Sequence, residues 1–270
     1  MKIAFLGGGN MANALIGGLL AKGFELRSVS VVEVSASARE RLAAQHGVRA
    51  STAPDAATSS ADTLVLAVKP QDMHAALSGF RGKLDEKLVI SIAAGLRLDA
   101  LSRWLGGHRK LVRCMPNTPA LIGAGVTGLY ALAEVTSEER KKAETVLGAV
   151  GEVVWVGEER LLDPVTAVSG SGPAYVFWFI EQLSASAIRL GIPKETALKL
   201  AVQTVLGAAK LAAQSDESPA ELRKKVTSKS GTTEAALRVF DEERLAERFA
   251  RALEAASRRS AELGEELGKD

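Results

Sequence analysis

The sequence predicts two halves of different class: an α/β half built on a parallel sheet, followed by an all-α half. Three observations predict it. Short apolar runs alternate with helical runs as far as Gly157. A glycine-rich segment separates the first apolar run from the first helical one. Beyond Gly157 nearly every segment has helical periodicity, and several begin near a proline, Pro173, Pro193 and Pro219. Proline is tolerated in a first helical turn because its missing N–H has no intrahelical partner there.

The elements run in this order. Lys2–Gly7 (KIAFLG) is an apolar run bounded by glycine, and NMANALIGGLLAKG after it has helical spacing. Ser28–Val34 (SVSVVEV), a charged helical stretch SARERLAAQHG, and a short strand near Val48 come next. Asp62–Pro70 (DTLVLAVKP) and Lys87–Gly95 (KLVISIAAG) read as buried strands, with GVTGLYA and Glu152–Gly157 (EVVWVG) as later strands of the same sheet. Apolar strands separated by helices indicate βαβ units covered on both faces. After the change of character at 157–163 come PAYVFWFIEQLSASAIRLG, PKETALKLAVQTVLGAAKLAAQ, SPAELRKKV, TTEAALRVF and RLAERFARALEAASRRSAEL, all helical.

Bulk composition narrows the function. A chain of 270 residues, 47% apolar and 24% charged, has an ordinary globular composition with enough length for one or two cores. Lys and Arg number 34 against 32 Asp and Glu, a net +2, and no basic tract stands out. That argues against nucleic acid or an anionic membrane as partner. One cysteine, Cys114, allows no internal disulfide and suits a reducing compartment. The apolar start breaks at glycine too early for a signal peptide or a span, so a cytoplasmic location is expected.

Two segments carry the chemistry. GGGNMA (Gly7–Ala12) lies between the first strand and the first helix and fits G-x-G-x-x-G/A. Gly7 makes the turn, Gly9 lets a pyrophosphate approach, Asn10 and Met11 open the helix, and Ala12 permits close helix–strand packing. The N-terminal half is therefore expected to be a Rossmann-like dinucleotide-binding domain, residues 1–160, with a helical domain at 161–270. Glu33 stands 21 positions after Ala12, where an acid hydrogen-bonds the 2′-hydroxyl of NAD; it could equally cap the following helix. Ser35, Ser37 and Arg39 offer donors for a phosphate, so NADH and NADPH both stay open. Lys69 and Pro70 end one strand, and Ala93, Ala94 and Gly95 end the next, along the edge where ligands lie in such sheets. The second segment is VTSKSGTTEAAL (Val226–Leu237), hydroxyl and glycine residues just before a helical run. Such a start leaves N–H groups free and adds hydroxyl donors, which together hold an anion.

RCMPNTPA (Arg113–Ala120), SGSGPAYVF (Ser169–Phe177) and VTSKSGTTEAA (Val226–Ala236) resemble the signatures of pyrroline-5-carboxylate reductases, and FLGGGNMA, AVKPQ and SIAAG match the same family in order and spacing. The resemblance spans essentially the whole chain. It implies NADPH- or NADH-dependent reduction of L-1-pyrroline-5-carboxylate to L-proline, the last step of proline biosynthesis, by a homodimer or higher homo-oligomer. It makes Ser228, Gly231, Thr232 and Thr233 the binding loop for the substrate carboxylate, with the Thr233 hydroxyl near the ring nitrogen as the catalytic group. It places Asn117 and Thr118 by the nicotinamide. Where the family reads Ser-Pro-Gly-Gly, this chain has Ser228-Lys229-Ser230-Gly231, so a demand for positive φ would strain Ser230. Where many bacterial relatives carry Asn-Arg, it has Glu33-Val34.

The chemistry needs no metal, because a protonated imine is already an electrophile. His46, His74 and His108 fall in no ligand or catalytic spacing. Cys114 reads as a buried small residue, and Tyr175, Phe177, Trp178 and Phe179 as core or dimer interface. A β-hydroxyacid dehydrogenase would need a lysine early in the helical half, and none lies between Leu161 and Pro193. A nucleotide-sensing protein without turnover, and a reductase of a related cyclic imine, are the other readings.

Overall fold

The computed structural model describes residues 1–84 and 86–269. They form two compact units, Met1–Ser171 with Ala255–Asp270, and Gly172–Glu254.

The first unit is built on an eight-stranded sheet: β1 (Ile3–Leu6), β2 (Val29–Val32), β3 (Ala50–Ser51), β4 (Thr63–Leu66), β5 (Leu88–Ser91), β6 (Leu111–Met115), β7 (Gly125–Ala131) and β8 (Gly151–Trp155). Their order is β3-β2-β1-β4-β5-β6-β7-β8. The helices between them are α1 (Asn10–Ala21), α2 (Ala36–His46), α3 (Ala56–Ser59), α4 (Met73–Leu77), α5 (Leu98–Trp104) and α6 (Ser137–Leu147). Strand alternation divides the core into two layers. Ile3 and Phe5 pack with Leu15, Ile16, Leu19 and Leu147 on one face. Ala4 and Leu6 pack with Met73, Leu77, Leu98 and Leu101 on the other. Both sets are apolar because helices cover both faces, which is why these strands read as unbroken apolar runs.

Three features depart from the sequence expectation. The sheet is not parallel throughout: β7 runs antiparallel to β6, and β8 parallel to β7. β6 is a strand that the apolar pattern does not announce. The third strand lies at Ala50–Ser51, two residues beyond Val48, which is instead buried in the core.

Side chains close several helix starts. Ser35 accepts from Ala38 N, Asp55 from Thr58 N, and Thr136 forms a capping box with Glu139. Burial alone would raise the Glu139 carboxyl, but the Thr136 N–H and hydroxyl and the Lys110 ammonium outweigh it and hold it below its ordinary value.

The first unit extends beyond 160. α7 (Leu162–Val165) continues into a π-turn at Thr166–Gly170. A Cβ on Gly128 would stand 2.6 Å from Val165 Cγ1, and one on Gly170 2.5 Å from Met115 Cε, so this segment lies directly on β6 and β7. The division into compact units therefore falls after Ser171, later than the change of composition.

The second unit holds α8 (Gly172–Arg189), α9 (Lys194–Gln214), α10 (Pro219–Lys225), α11 (Thr232–Glu242) and the start of α12 (Leu245–Leu267). α8 and α9 pair as a hairpin whose turn uses Gly191 at φ +93°, a conformation open to glycine at little cost. The later half of α12 belongs to the first unit. There Ser260 Oγ donates to Asp163 Oδ1 at 2.9 Å, and a Cβ on Gly95 would lie 3.0 Å from Leu267 Cδ1. Among the described residues, no helix is long and apolar enough to cross a membrane.

Candidate active site

The sheet register builds the first part of the site. Leu6 is level with Val32 and with Leu66, Leu66 with Ser91, and Ser91 with Arg113. The C-terminal ends of β2, β1, β4, β5 and β6 thus finish in one line. Just past those ends stand Glu33 and Ser35, Gly7–Ala12, Lys69 and Pro70, Ala93 and Ala94, and Asn117. The chain reverses its direction of travel across the sheet between β1 and β4, which opens a crevice at that point.

Each glycine of the loop meets a different demand. Gly7 has φ +101°, and a Cβ there would stand 2.7 Å from the carbonyl carbon and oxygen of Ala67, so the turn is pressed against the end of β4. Its N–H donates to Val32 O at 2.8 Å. A Cβ on Gly8 would meet Leu42 Cδ1 at 2.8 Å. Gly9, the cap residue of α1, has nothing within 4 Å of its Cβ position and no side-chain acceptor on the helix start. The first helical bond runs from Asn13 N to Gly9 O, which leaves the N–H groups of Asn10, Met11 and Ala12 for an outside acceptor. Open space above Gly9 and unclaimed donors at a helix N-terminus fit the phosphates of a dinucleotide.

Glu33 is held in the same corner. Its Oε2 accepts from Gly8 N and its Oε1 from Ser35 N, both at 2.6 Å. It braces the glycine loop against the residue that caps α2; the cap itself is Ser35, so Glu33 does not cap the helix as one reading expected. Ser35 caps α2 through its hydroxyl. Lys69 is exposed and precedes a tight turn begun by Pro70. Ala93 is buried and Ala94 exposed. Asn117 is nearly buried with both ends of its amide in use: Nδ2 donates to Ser169 O at 3.2 Å, and Oδ1 accepts from Val126 N at 2.9 Å. It ties the turn after β6 to β7 and to the π-turn.

The second segment stands in the helical unit. Gly231 caps α11 with no side-chain acceptor, and the first helical bond goes from Ala235 N to Gly231 O. The Gly231 N–H is not among the free donors of this start, because it donates to Ser228 O at 3.0 Å. The unclaimed helix-start donors are those of Thr232, Thr233 and Glu234. Ser230 takes φ +57°, so serine occupies a left-handed position here, and its N–H donates to Glu234 Oε2 at 2.6 Å. A Cβ on Gly231 would collide with the Ser228 hydroxyl, which would have to turn away from its present position. Lys229 is exposed.

Other candidate groups are structural. His74 stacks on Trp104 with ring centroids 4.9 Å apart. Burial lowers the pKa of His108, whose Nε2 lies 2.9 Å from Lys87 O. Burial pushes the Cys114 thiol far up, which leaves it inert as a nucleophile. Phe177, Trp178 and Phe179 are about half exposed or more on this chain and are not core. Among the described residues, no group of three His, Cys, Asp or Glu is placed to hold a metal ion.

Sequence reasoning missed a buried ionic cluster. Arg113, 4% exposed, pairs with Glu159 at 3.1 Å and approaches Asp163 at 3.8 Å. Glu159 also accepts from Leu98 N at the start of α5, and Asp163 faces Arg97. The available signal was an arginine inside an otherwise apolar run, Leu111–Met115, which calls for buried acids. Arg41 was also missed; its Nη2 donates to Gly8 O at 3.1 Å, in the glycine loop.

Comparison with known proteins gives the family. Residues 2–95 match the family model described as NADP oxidoreductase coenzyme F420-dependent, and residues 159–263 match the one described as pyrroline-5-carboxylate reductase dimerisation. A pyrroline-5-carboxylate reductase of Pseudomonas aeruginosa is 45% identical over 269 residues, 99% of this chain and 98% of that protein. A solved reductase of the same name from Coxiella burnetii superposes with a TM-score of 0.92 at 41% identity, covering 97% of this chain and 98% of that one. The Plasmodium falciparum pyrroline carboxylate reductase, solved with NADP bound, gives 0.85 at 28% identity with 98% of each chain covered. With near-complete coverage at such identity, the chain belongs to the pyrroline-5-carboxylate reductase family.

Proposed function

We propose that this chain performs its family's reaction, NAD(P)H-dependent reduction of L-1-pyrroline-5-carboxylate to L-proline, with the nucleotide held by residues 1–160 and the substrate by residues 161–270. The observation that carries the assignment of residues is the pair of glycine-capped helix starts, α1 and α11, each with unclaimed N–H groups. One suits a pyrophosphate and the other a carboxylate.

At the first, the N–H groups of Asn10, Met11 and Ala12 hold the phosphates over Gly9, with Gly7 fixing the turn. Glu33 and Ser35 face the adenosine ribose. Lys69, Pro70, Ala93, Ala94 and Asn117 line the rest of the sheet edge. When bound, the reduced nicotinamide supplies the hydride. At the second, the N–H groups of Thr232 and Thr233, with the Ser228 hydroxyl, hold the ring carboxylate, and Gly231 keeps Ser228 close. The Thr233 hydroxyl hydrogen-bonds the ring nitrogen, which must stay protonated while its carbon accepts hydride. The protein's main contribution is alignment of carbon and hydride donor.

The exposed apolar side chains of α8 and α9, among them Phe177, Trp178, Leu198 and Leu206, suit a homodimer formed through the helical half. A cytoplasmic location fits its work as a biosynthetic enzyme.

Replacing Thr233 by Val tests the site. Turnover with pyrroline-5-carboxylate should fall about a hundredfold, the scale of a lost proton-handling group. Cofactor affinity, read by calorimetric titration, should stay within about twofold. Full turnover in this variant removes Thr233 from the mechanism.

A further inference from the structure

We infer that Glu33 makes this chain select NADH over NADPH, an inference that rests on the cofactor site proposed above. The two cofactors differ only at the adenosine 2′ position, a hydroxyl in one and a phosphate in the other. The end of β2 is where such sheets read that position.

Three observations bear on the choice. First, the Glu33 carboxylate spans the corner between Gly8 N and Ser35 N, at 2.6 Å to each, so the N–H that opens the β2–α2 turn is already given to an anion. Second, the hydroxyls beside it are partly engaged: Ser35 Oγ accepts from Ala38 N at 3.4 Å and lies 3.0 Å from Ser37 Oγ, so one of the two hydroxyl hydrogens is held within the pair. Third, the neighbouring cations face backbone. Arg39 Nη1 donates to Glu33 O at 3.0 Å and Val34 O at 2.8 Å, and Arg41 Nη2 donates to Gly8 O. Ser35, Ser37 and Arg39, the donors that could have cradled a phosphate, are each drawn into the turn in part: one hydroxyl hydrogen of the serine pair and Nη1 of Arg39 are taken.

The consequence is one of charge. A 2′-phosphate would bring close to two negative charges against a fixed carboxylate, while Arg39 and Arg41 beside it already donate to backbone carbonyls. A 2′-hydroxyl can instead donate to Glu33, since each carboxylate oxygen accepts more than one hydrogen bond. Selectivity of about tenfold or more in affinity is expected from so close a like-charge contact.

The test is calorimetric titration of the purified protein with NADH and with NADPH, alongside oxidation of each in the presence of pyrroline-5-carboxylate. NADH should bind at least about tenfold more tightly, and Glu33→Gln, which keeps shape and removes charge, should shrink that gap about tenfold. Equal affinities in the unaltered protein, or tighter NADPH, overturn the inference. Should Glu33→Gln disturb the loop and weaken both cofactors, Arg39→Gln decides. An unchanged affinity ratio supports the inference, and loss of NADPH affinity alone overturns it by showing Arg39 to be a phosphate ligand. The two readings fail separately: selective NADH binding without imine reduction counts against the reductase assignment, and imine reduction favouring NADPH counts against Glu33.

Discussion

The two glycine-capped helices solve one problem in opposite surroundings. α1 rises from a buried strand, and its loop is clamped by Val32, Ala67, Glu33 and Arg41. α11 rises from an exposed turn held by Ser228, Ser230 and Glu234. α2, α3, α6 and α10 by contrast carry a Ser, Asp or Thr cap that accepts from the helix start. The glycine caps of α1 and α11 bring no side-chain acceptor of their own, which leaves their donors for something outside the chain. The difference between the two loops is in what fixes them: tertiary contacts in one, residues of its own turn and helix in the other.

Substitutions can break that contrast. The largest effect is expected at Gly7, where Ala adds both a left-handed penalty and overlap with the Ala67 carbonyl. Gly7→Ala should lose about 2–4 kcal/mol of stability, read as a lower denaturation midpoint. Stability within about 0.5 kcal/mol of the parent would mean the loop is not clamped as described. Gly9→Val should do the reverse: its Cβ meets nothing in the protein, so the midpoint should hold while cofactor affinity drops at least about tenfold. Retained affinity would put the phosphates elsewhere. The smallest effect is expected in the second loop. Ser230→Gly relieves the left-handed serine at the cost of a freer unfolded chain, so stability should rise by less than about 1 kcal/mol with turnover retained. A clear loss of stability would show that the serine side chain contributes more than its strained backbone costs.

Legibility in the sequence followed locality. The glycine loop, the strands of the first five βα steps and the helices of the second half are written in stretches of about a dozen residues, and periodicity reports them. The direction of β7 is not local, although its connection to β6 covers only 116–124, too short for the crossover that parallel pairing needs. β6 was hidden because Arg113 breaks its apolar run, and the acids that make that arginine tolerable, Glu159 and Asp163, lie more than forty residues away. The engagement of the Gly231 N–H was also out of reach, since it depends on how tightly the turn closes on Ser228. Counting puts Glu33 at the end of β2, but its bonds to Gly8 and Ser35 and the place of Arg39 on the carbonyls of the turn required the folded chain.

The later half of α12 has a consequence for synthesis. Its packing against Gly95, Arg97 and Asp163 is part of the first unit, yet more than eighty residues of the second unit are translated between them. A ribosome that has released the first 171 residues has therefore made a sheet whose loop after β5 is still uncovered. Its final closure must wait for the helical unit to emerge, so the two cannot mature as independent beads on a growing chain.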